Sequence, residues 1–245
     1  MANTLAMCFA FMINDIEDAP DDARDPKRKQ KNVISSGALG KIEAYVVTAA
    51  TALGAFFLYR TASHDSFLIG SVTLTLGFLY SYKRIRLKAY PVVDIVSHAL
   101  MLSALLYLSG FAVYNSDYGM IFPVFAGLFF VSAYGQLYNQ IRDFNMDKLA
   151  KLKNTAILLG RERATRLMYG MIGISAVSFV VAATKGLFPL WLVIPAAIAT
   201  PIAYFFVGSK DSRGTKVVDK TGMLQNAALV IVNIVVLVWI SRLIQ

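Results

Sequence analysis

The stretches Asn14-Asp15-Ile16-Glu17-Asp18-Ala19-Pro20-Asp21-Asp22 and Asn139-Gln140-Ile141-Arg142-Asp143-Phe144-Asn145-Met146-Asp147 decide how this chain is read. In each, an Asn is followed by Asp at the fourth and the eighth residue after it. On a helix this spacing stacks three oxygen-bearing side chains on one face, Asn14/Asp18/Asp22 and Asn139/Asp143/Asp147. Each stretch directly follows a long apolar run. Carboxylates at the mouth of a membrane helix are costly to place and mark function. Two such faces turned toward each other would hold hard cations between them.

Outward from these stretches the chain is apolar. Of its 245 residues 57% are hydrophobic and only 16% charged, and the mean hydropathy is +0.56. This composition belongs to a polytopic membrane protein. A bilayer core of about 30 Å needs roughly 20 apolar residues per helix. Eight spans are expected, at about 1–18, 42–60, 66–81, 91–113, 119–141, 165–183, 187–208 and 223–241. They lie close together, so residues 1–245 read as a single all-α transmembrane bundle. The only cysteine, Cys8, rules out an internal disulfide. The first apolar stretch lacks the basic start of a signal peptide.

The charge distribution orients the bundle. Of 24 Lys and Arg, 21 fall in four loops, residues 19–41, 82–90, 142–166 and 209–222. These loops are alternate connections and so share one side of the membrane. The positive-inside rule makes that side cytoplasmic. Both Asp stretches face it, in a protein of the cell membrane. Nucleic acid is not an expected partner, because the basic residues are scattered over short loops.

The first helix is expected from Ala2 to Asp22, with Pro20 kinking or unwinding its end. The order apolar span, Asn-x3-Asp-x3-Asp, basic loop, Gly occurs twice, ending at Ser35-Ser36-Gly37 and at Leu158-Leu159-Gly160. Two related halves around one site would produce this order, and so would two helix ends selected independently for metal. Other polar residues carry plainer readings. Tyr80 and Tyr82 suit the aromatic belt at the membrane surface. His98 reads as a packed, hydrogen-bonded residue and His64 as a surface one. Asp94, just inside a span, either caps a helix or faces a cavity.

Magnesium binds oxygen, keeps several waters, and takes one or two carboxylates together with substrate phosphates. Two facing Asp pairs suit a diphosphate bridged by such ions. Carboxylates alone would repel that anion, so the metal is an electrostatic requirement. Lys and Arg of the adjoining loops would neutralise the remaining phosphate charge. If the diphosphate leaves an allylic carbon, the cation left behind needs a dry pocket with aromatic faces. The chain carries 16 Phe and 12 Tyr.

These residues resemble the UbiA superfamily of intramembrane prenyltransferases. Asn14, Asp15, Asp18 and Asp22 match its N-D-x-x-D-x-x-x-D motif. Lys31-Asn32-Val33-Ile34-Ser35-Ser36-Gly37 matches its basic-N-P-x-x-x-G element, with Val33 in place of Pro. Asp143, Asp147, Thr155 and Leu159-Gly160 match its second motif. Its middle-loop Tyr-x3-Lys is approximated by Tyr80/Arg84 or Tyr82/Arg86, with Lys88 close by. The resemblance implies Mg2+-dependent transfer of an isoprenoid chain from a prenyl diphosphate to a lipophilic acceptor in the membrane. It implies Asp18, Asp22, Asp143 and Asp147 as catalytic metal ligands, with Asn14 as a further ligand. Lys31, Asn32, Arg84, Arg86 and Lys88 would bind diphosphate. Asp15, Asn139, Tyr80, Tyr82 and Asp94 are further candidates. The resemblance implies nine helices where eight spans are expected here, the family's first being cut off at Met1, lost to a misassigned start, or absent from a shortened variant. Leu87-Lys88-Ala89-Tyr90-Pro91-Val92-Val93-Asp94 looks most like the carotenoid (lycopene) elongase branch, with an archaeal lipid enzyme as competitor. The acceptor would be a carotenoid, a quinone precursor or a glycerol-phosphate lipid.

Two other readings compete. A CDP-alcohol phosphotransferase needs Asp-Gly-x2-Ala-Arg, of which Asp22-Ala23-Arg24 is the nearest fragment. A divalent-cation transporter would carry its site at mid-bilayer, whereas these carboxylates stand at helix ends beside basic loops. Topology is testable without substrate. In a Cys8→Ala background, cysteines placed at Ser36, Ser116 and Ser212 are treated with an impermeant reagent outside intact cells. Only position 116 should react. Labelling of 36 and 116 from the same side would sink the span count.

Overall fold

The structure, a computed structural model, describes residues 1–24, 26–149, 152–187 and 191. Residues 1–189 form one compact unit and residues 190–245 a second. The described part of the first unit is helical, with no strand among the described residues. Its elements are α1 (Ala2–Asp22), α2 (Pro26–Lys31), α3 (Lys41–Ala62), α4 (His64–Ser81), α5 (Val93–Ala99), α6 (Leu105–Phe111), α7 (Tyr118–Arg142), α8 (Phe144–Leu149), α9 (Thr155–Leu159) and α10 (Arg161–Thr184). A 3-10 turn, Leu87–Ala89, precedes α5, and a π-helical turn, Leu100–Ala104, joins α5 to α6.

Among the described residues four stretches are long and apolar enough to cross a membrane: α3, α7, α10 and the continuous run Val93–Phe111. The helices α1 and α4 have 21 and 18 residues. Their polar ends, Asp15 to Asp22 on α1 and His64-Asp65 on α4, dilute their apolar character. These six stretches fall on the first six expected spans. The last two, 187–208 and 223–241, lie outside the described residues except for Leu187 and Trp191.

Small residues let the helices approach. Ala55, Ala99, Ala133, Ala156, Ala164 and Ala182 are completely buried, the pattern of membrane interfaces, where close backbone approach supplies the attraction. Meanwhile Ile42, Val46, Leu53, Phe57, Phe122 and Val177 point outward, as lipid-facing side chains do. One core gathers Ala6, Ala55, Tyr59 and Leu106 where α1, α3 and α6 meet. A second gathers Ile95, Leu137, Ile141, Ala164 and Met168 where α5, α7 and α10 meet.

Two helix ends carry the Asp stretches. α1 runs through Pro20 to Asp22, and the Ala23 N–H still bonds to Ala19 O at 3.0 Å. So close to the C-terminus, Pro20 removes only the bond its own N–H would make to Ile16, and the last turn survives. The second Asp stretch is not one straight helix. α7 stops at Arg142, Asp143 takes φ −89° and ψ 5°, and α8 begins at Phe144. The bend gives the three residues different settings: Asn139 is exposed, Asp143 half-buried and Asp147 buried.

At the end of α1 remote from the aspartates, Asn3 joins three helices. Its Oδ1 accepts from Tyr59 Oη at 2.8 Å and Ser109 Oγ at 2.9 Å, and its Nδ2 donates to Leu106 O at 2.8 Å. Tyr59 lies flat against Gly70, where a Cβ would come within 2.3 Å of the ring. Gly70→Ala should displace that ring and break its bond to Asn3. The expected loss is about 1–3 kcal/mol, the range for overpacking a filled core, read as a lower unfolding midpoint in detergent. An unchanged midpoint would show that the ring has room to move.

Candidate active site

The first Asp stretch ends α1 with Asp15, Asp18, Asp21 and Asp22 within eight residues. Such crowding in partly desolvated surroundings requires cations. They come from the loop after α4, whose turn is set by Arg86 in the left-handed region at φ 48°. Arg86 Nη2 lies 3.3 Å from Asp18 Oδ1 and 3.5 Å from Asp21 Oδ2. Lys88 Nζ lies 2.6 Å from Asp18 Oδ2 and donates to Asn14 Oδ1 at 2.7 Å. Ser81 Oγ also donates to Asn14 Oδ1, at 3.1 Å. Burial lowers the Lys88 ammonium from its ordinary value, and the Asp18 carboxylate works in the opposite direction.

Asn32 pins the following loop onto α1. It is buried, and its Nδ2 donates to Asp22 Oδ2 at 3.0 Å and to the Asp15 carbonyl at 2.8 Å. Its Oδ1 accepts from the N–H groups of Ile34 and Ser35 at 3.0 and 3.1 Å. Ser35 Oγ adds a bond to Ala19 O at 2.7 Å. The expected diphosphate ligand is therefore already committed to placing its own loop.

In the second stretch Asn154 does similar work. Its Oδ1 caps α9 by accepting from Ile157 N–H at 2.9 Å, and its Nδ2 donates to Asp147 Oδ2 at 2.8 Å. Burial first, and then the Asp143 charge, push the Asp147 carboxyl up, while Asn154 and Arg28 favour its charged form. Arg28, on the loop of the first stretch, thus acts on an aspartate of the second. Asp143 pairs with Arg142 through two contacts of 3.1 Å.

A cleft of about 680 Å³ opens at the C-terminal end of α1, and the expected metal ligands Asp143 and Asp147 are not among the residues that line it. It is lined by Asp18, Asp21 and Asp22 of α1, by Arg24 and Arg28 of the following segment, and by Arg86 and Lys88 of the loop after α4. Lys153 and Asn154 close it, and Met146 and Leu152 supply apolar rim. Lys31 and Arg84, expected at a diphosphate, are exposed and are not among these lining residues. Arg24, Arg28 and Lys153 take places that spacing alone did not assign. Their only signal was membership of the basic loops.

The remaining candidates sit apart from the mouth. Tyr80 is buried rather than part of a surface belt. Its hydroxyl accepts from Gln136 Nε2 at 3.1 Å, which draws it toward α7. Tyr82 stacks on Phe78 with ring centroids 4.7 Å apart. His98 Nδ1 faces Ser132 Oγ at 3.5 Å. Asp94 is wholly buried among donors from α7 and α9. Gln140, next to the exposed Asn139, is the inward-facing amide that sequence spacing missed. A polar residue one position off the Asn/Asp register was its only trace.

The UbiA prenyltransferase family model matches residues 1–226. The chain belongs to that family. No curated protein matches it. Among solved structures, a UbiA homologue from Archaeoglobus fulgidus bound to GPP and Mg2+ is similar, with a TM-score of 0.72 at 24% identity over 90% of this chain and 79% of that one. A structure of a UbiA homologue from the same organism bound to Cd2+ has a TM-score of 0.68 at 22% identity, covering 88% of this chain and 77% of that one. The apo UbiA homologue from Aeropyrum pernix K1 reaches 0.66 at 18% identity, covering 88% and 83%. At these identities the likeness shows a shared fold, the polytopic helical bundle of a membrane-integral prenyltransferase family.

The Asn32 network generates a direct test of the loop. Asn32→Ala should free the amides of Ile34 and Ser35, whose hydrogen exchange should quicken by about tenfold or more, the scale of losing a bond worth about 1.5 kcal/mol. Unchanged protection at both amides would mean that Asn32 does not hold the loop.

Proposed function

We propose that this chain transfers an isoprenoid group from a prenyl diphosphate to a lipophilic acceptor, with Mg2+ bound at the cleft. The observation that carries this reading is the meeting of α1 carboxylates and cations from several loops around one opening. The donor set suits a hard cation: Asp18, Asp21 and Asp22 offer carboxylate oxygen at the cleft, and neither His nor Cys lines it. Among the described residues no three ligating side chains form a ready-made cage. Magnesium does not require one, since one or two carboxylates, phosphate oxygens and waters complete its shell. When bound, the metal would neutralise and polarise the diphosphate as a Lewis acid.

The residues of the chain then divide the remaining work. Arg28 from the segment after α1, and Arg86 and Lys88 from the loop after α4, neutralise phosphate oxygens. Asp18 and Asp22, with Asp143 and Asp147 of the second stretch, would hold the metal. Tyr80, with its aromatic ring inside the bundle, offers a π face to an allylic cation. The acceptor's identity rests on the Leu87–Asp94 likeness to carotenoid elongases, with archaeal lipid and quinone precursors as the other classes. The relatives bound to GPP and to DMAPP with Mg2+ support the diphosphate half of this reading. Basic loops on one side support a site facing the cytoplasm, in a bundle of eight spans formed by residues 1–245. Cationic walls oppose cation transport, and the chain lacks the complete phosphotransferase motif.

Calorimetry with Mg2+ and a non-hydrolysable prenyl diphosphate tests the whole. Binding should require both together, and metal binding indifferent to the anion would favour transport instead. Asp18→Asn or Asp143→Asn should nearly abolish turnover with the helical bundle intact, because each removes an anionic ligand. Near-normal turnover in either variant would defeat the two-stretch site. Arg28→Ala should weaken diphosphate binding by about 1.5–3 kcal/mol, the scale of a charged hydrogen bond. The exposed Lys31→Ala should cost less, under about 1 kcal/mol. The reverse order would place Lys31 in the clamp.

A further inference from the structure

Asp94 has both oxygens fully engaged. Oδ1 accepts from Ile95 N–H at 2.8 Å and from Thr155 Oγ1. Oδ2 accepts from Thr155 N–H at 2.9 Å and from Gln140 Nε2 at 2.7 Å. Around this centre, Gln140 Oε1 accepts from Ala156 N–H at 3.0 Å, and Val92 N–H donates to Thr155 Oγ1 at 2.6 Å. The donors come from the starts of α5 and α9 and the end of α7. A buried polar network satisfied this completely specifies one arrangement of the segments it joins.

Each of those segments leads to the cleft. Before Asp94 in the chain stand Lys88 and Arg86, the two cations on Asp18. Beside Thr155 stands Asn154, which holds Asp147 Oδ2. Beyond Gln140 stands Asp143, at the bend between α7 and α8. Residues 86–94 therefore run as a strut from one Asp stretch to the other. Their backbone is constrained at both ends, with Arg86 at φ 48° and the β-branched Val92 at φ 70°. Such conformations persist where surrounding contacts over-determine them, and for Val92 the contact is Thr155 Oγ1.

We propose that Asp94 is a positioning residue that sets the spacing between the two carboxylate stretches, through Arg86 and Lys88 on one side and through Thr155 and Asn154 on the other. The inference rests on the reading of the cleft as a metal and prenyl diphosphate site. Asp94 touches neither ligand. Its loss lets Asp18 and Asp147 drift relative to one another, so that metal and diphosphate are no longer gripped together.

The test uses the full chain in detergent, with Mn2+ as a paramagnetic probe titrated in the presence of geranyl diphosphate. Asp94→Asn places an amide N–H2 against existing donors and should weaken Mn2+ binding by about 10–100-fold, the range for residues that orient metal ligands. Asp65→Asn serves as control. Asp65 accepts from Tyr118 Oη at the start of α4, about 24 Å along that helix from Ser81. It should lower the unfolding temperature and leave Mn2+ affinity unchanged. Undiminished affinity in Asp94→Asn overturns the proposal, as does a loss that merely tracks unfolding temperature across the Asp94 and Asp65 variants. Should Asp94→Asn not fold, Thr155→Val decides: it removes only Oγ1, and unchanged affinity there also overturns the proposal. The parent reading fails separately, if the unsubstituted chain does not bind Mn2+ and geranyl diphosphate together.

Discussion

Four aspartates crowded into the last turns of α1 are the constraint on which the rest of the cleft depends. Like charges this close raise one another's energy, and the apolar bundle behind them removes the water that would screen them. The chain meets the constraint with cations on short tethers. Lys88 gives up hydration to reach Asp18 and Asn14, which is why its ammonium is held below its ordinary value. Arg86 covers the outer oxygens of Asp18 and Asp21. A buried charge left without its partner costs far more than the pair returns, so the loop carrying Arg86 and Lys88 is bound to α1 by necessity.

That necessity organises the second half of the site as well. The residues following Lys88 turn through the 3-10 segment and the strained Val92 to bury Asp94 against α7 and α9. Thr155 and Asn154 are thereby fixed, and Asn154 fixes Asp147. From the other side, Arg28 extends from the loop after α1 toward the same aspartate. The two motifs are thus tied across the cleft by protein contacts that exist before any ligand is considered. The ties are polar and confined to one end of the bundle, whereas the opposite end is closed by the neutral Asn3, Tyr59 and Ser109 cluster. Among the described residues the cations that meet the aspartates, Arg86 and Lys88, gather at the first of these ends.

Much of this was legible in the sequence, and the limits have physical causes. The bounds of α1, the first six apolar stretches and the pairing of Asn with Asp at fourfold spacing follow from hydropathy and helical period, which are local properties. Family membership followed from the same residues, since Asn14, Asp15, Asp18, Asp22, Asp143 and Asp147 recur as a pattern of positions. The break between α7 and α8 at Asp143 was not legible, because it depends on how much hydrogen bonding a terminus can lose, which a residue's propensity does not state. Tyr80 was read as a surface aromatic because its height in the membrane was legible and its direction was not.

What the sequence determined by itself was therefore the set of charges, their end of the bundle and the helices that carry them. What only tertiary structure decided was which cation meets which carboxylate. Arg28, Arg86 and Lys88 line the cleft while Lys31 and Arg84 stay in solvent, although all five belong to the same kind of basic loop. The difference lies in the turns set by Asn32 and Arg86 and in the burial of Asp94, contacts between segments distant in the chain. Periodicity places a residue on its own helix, but the partner across the cleft is chosen by packing, and packing is a property of the folded bundle as a whole.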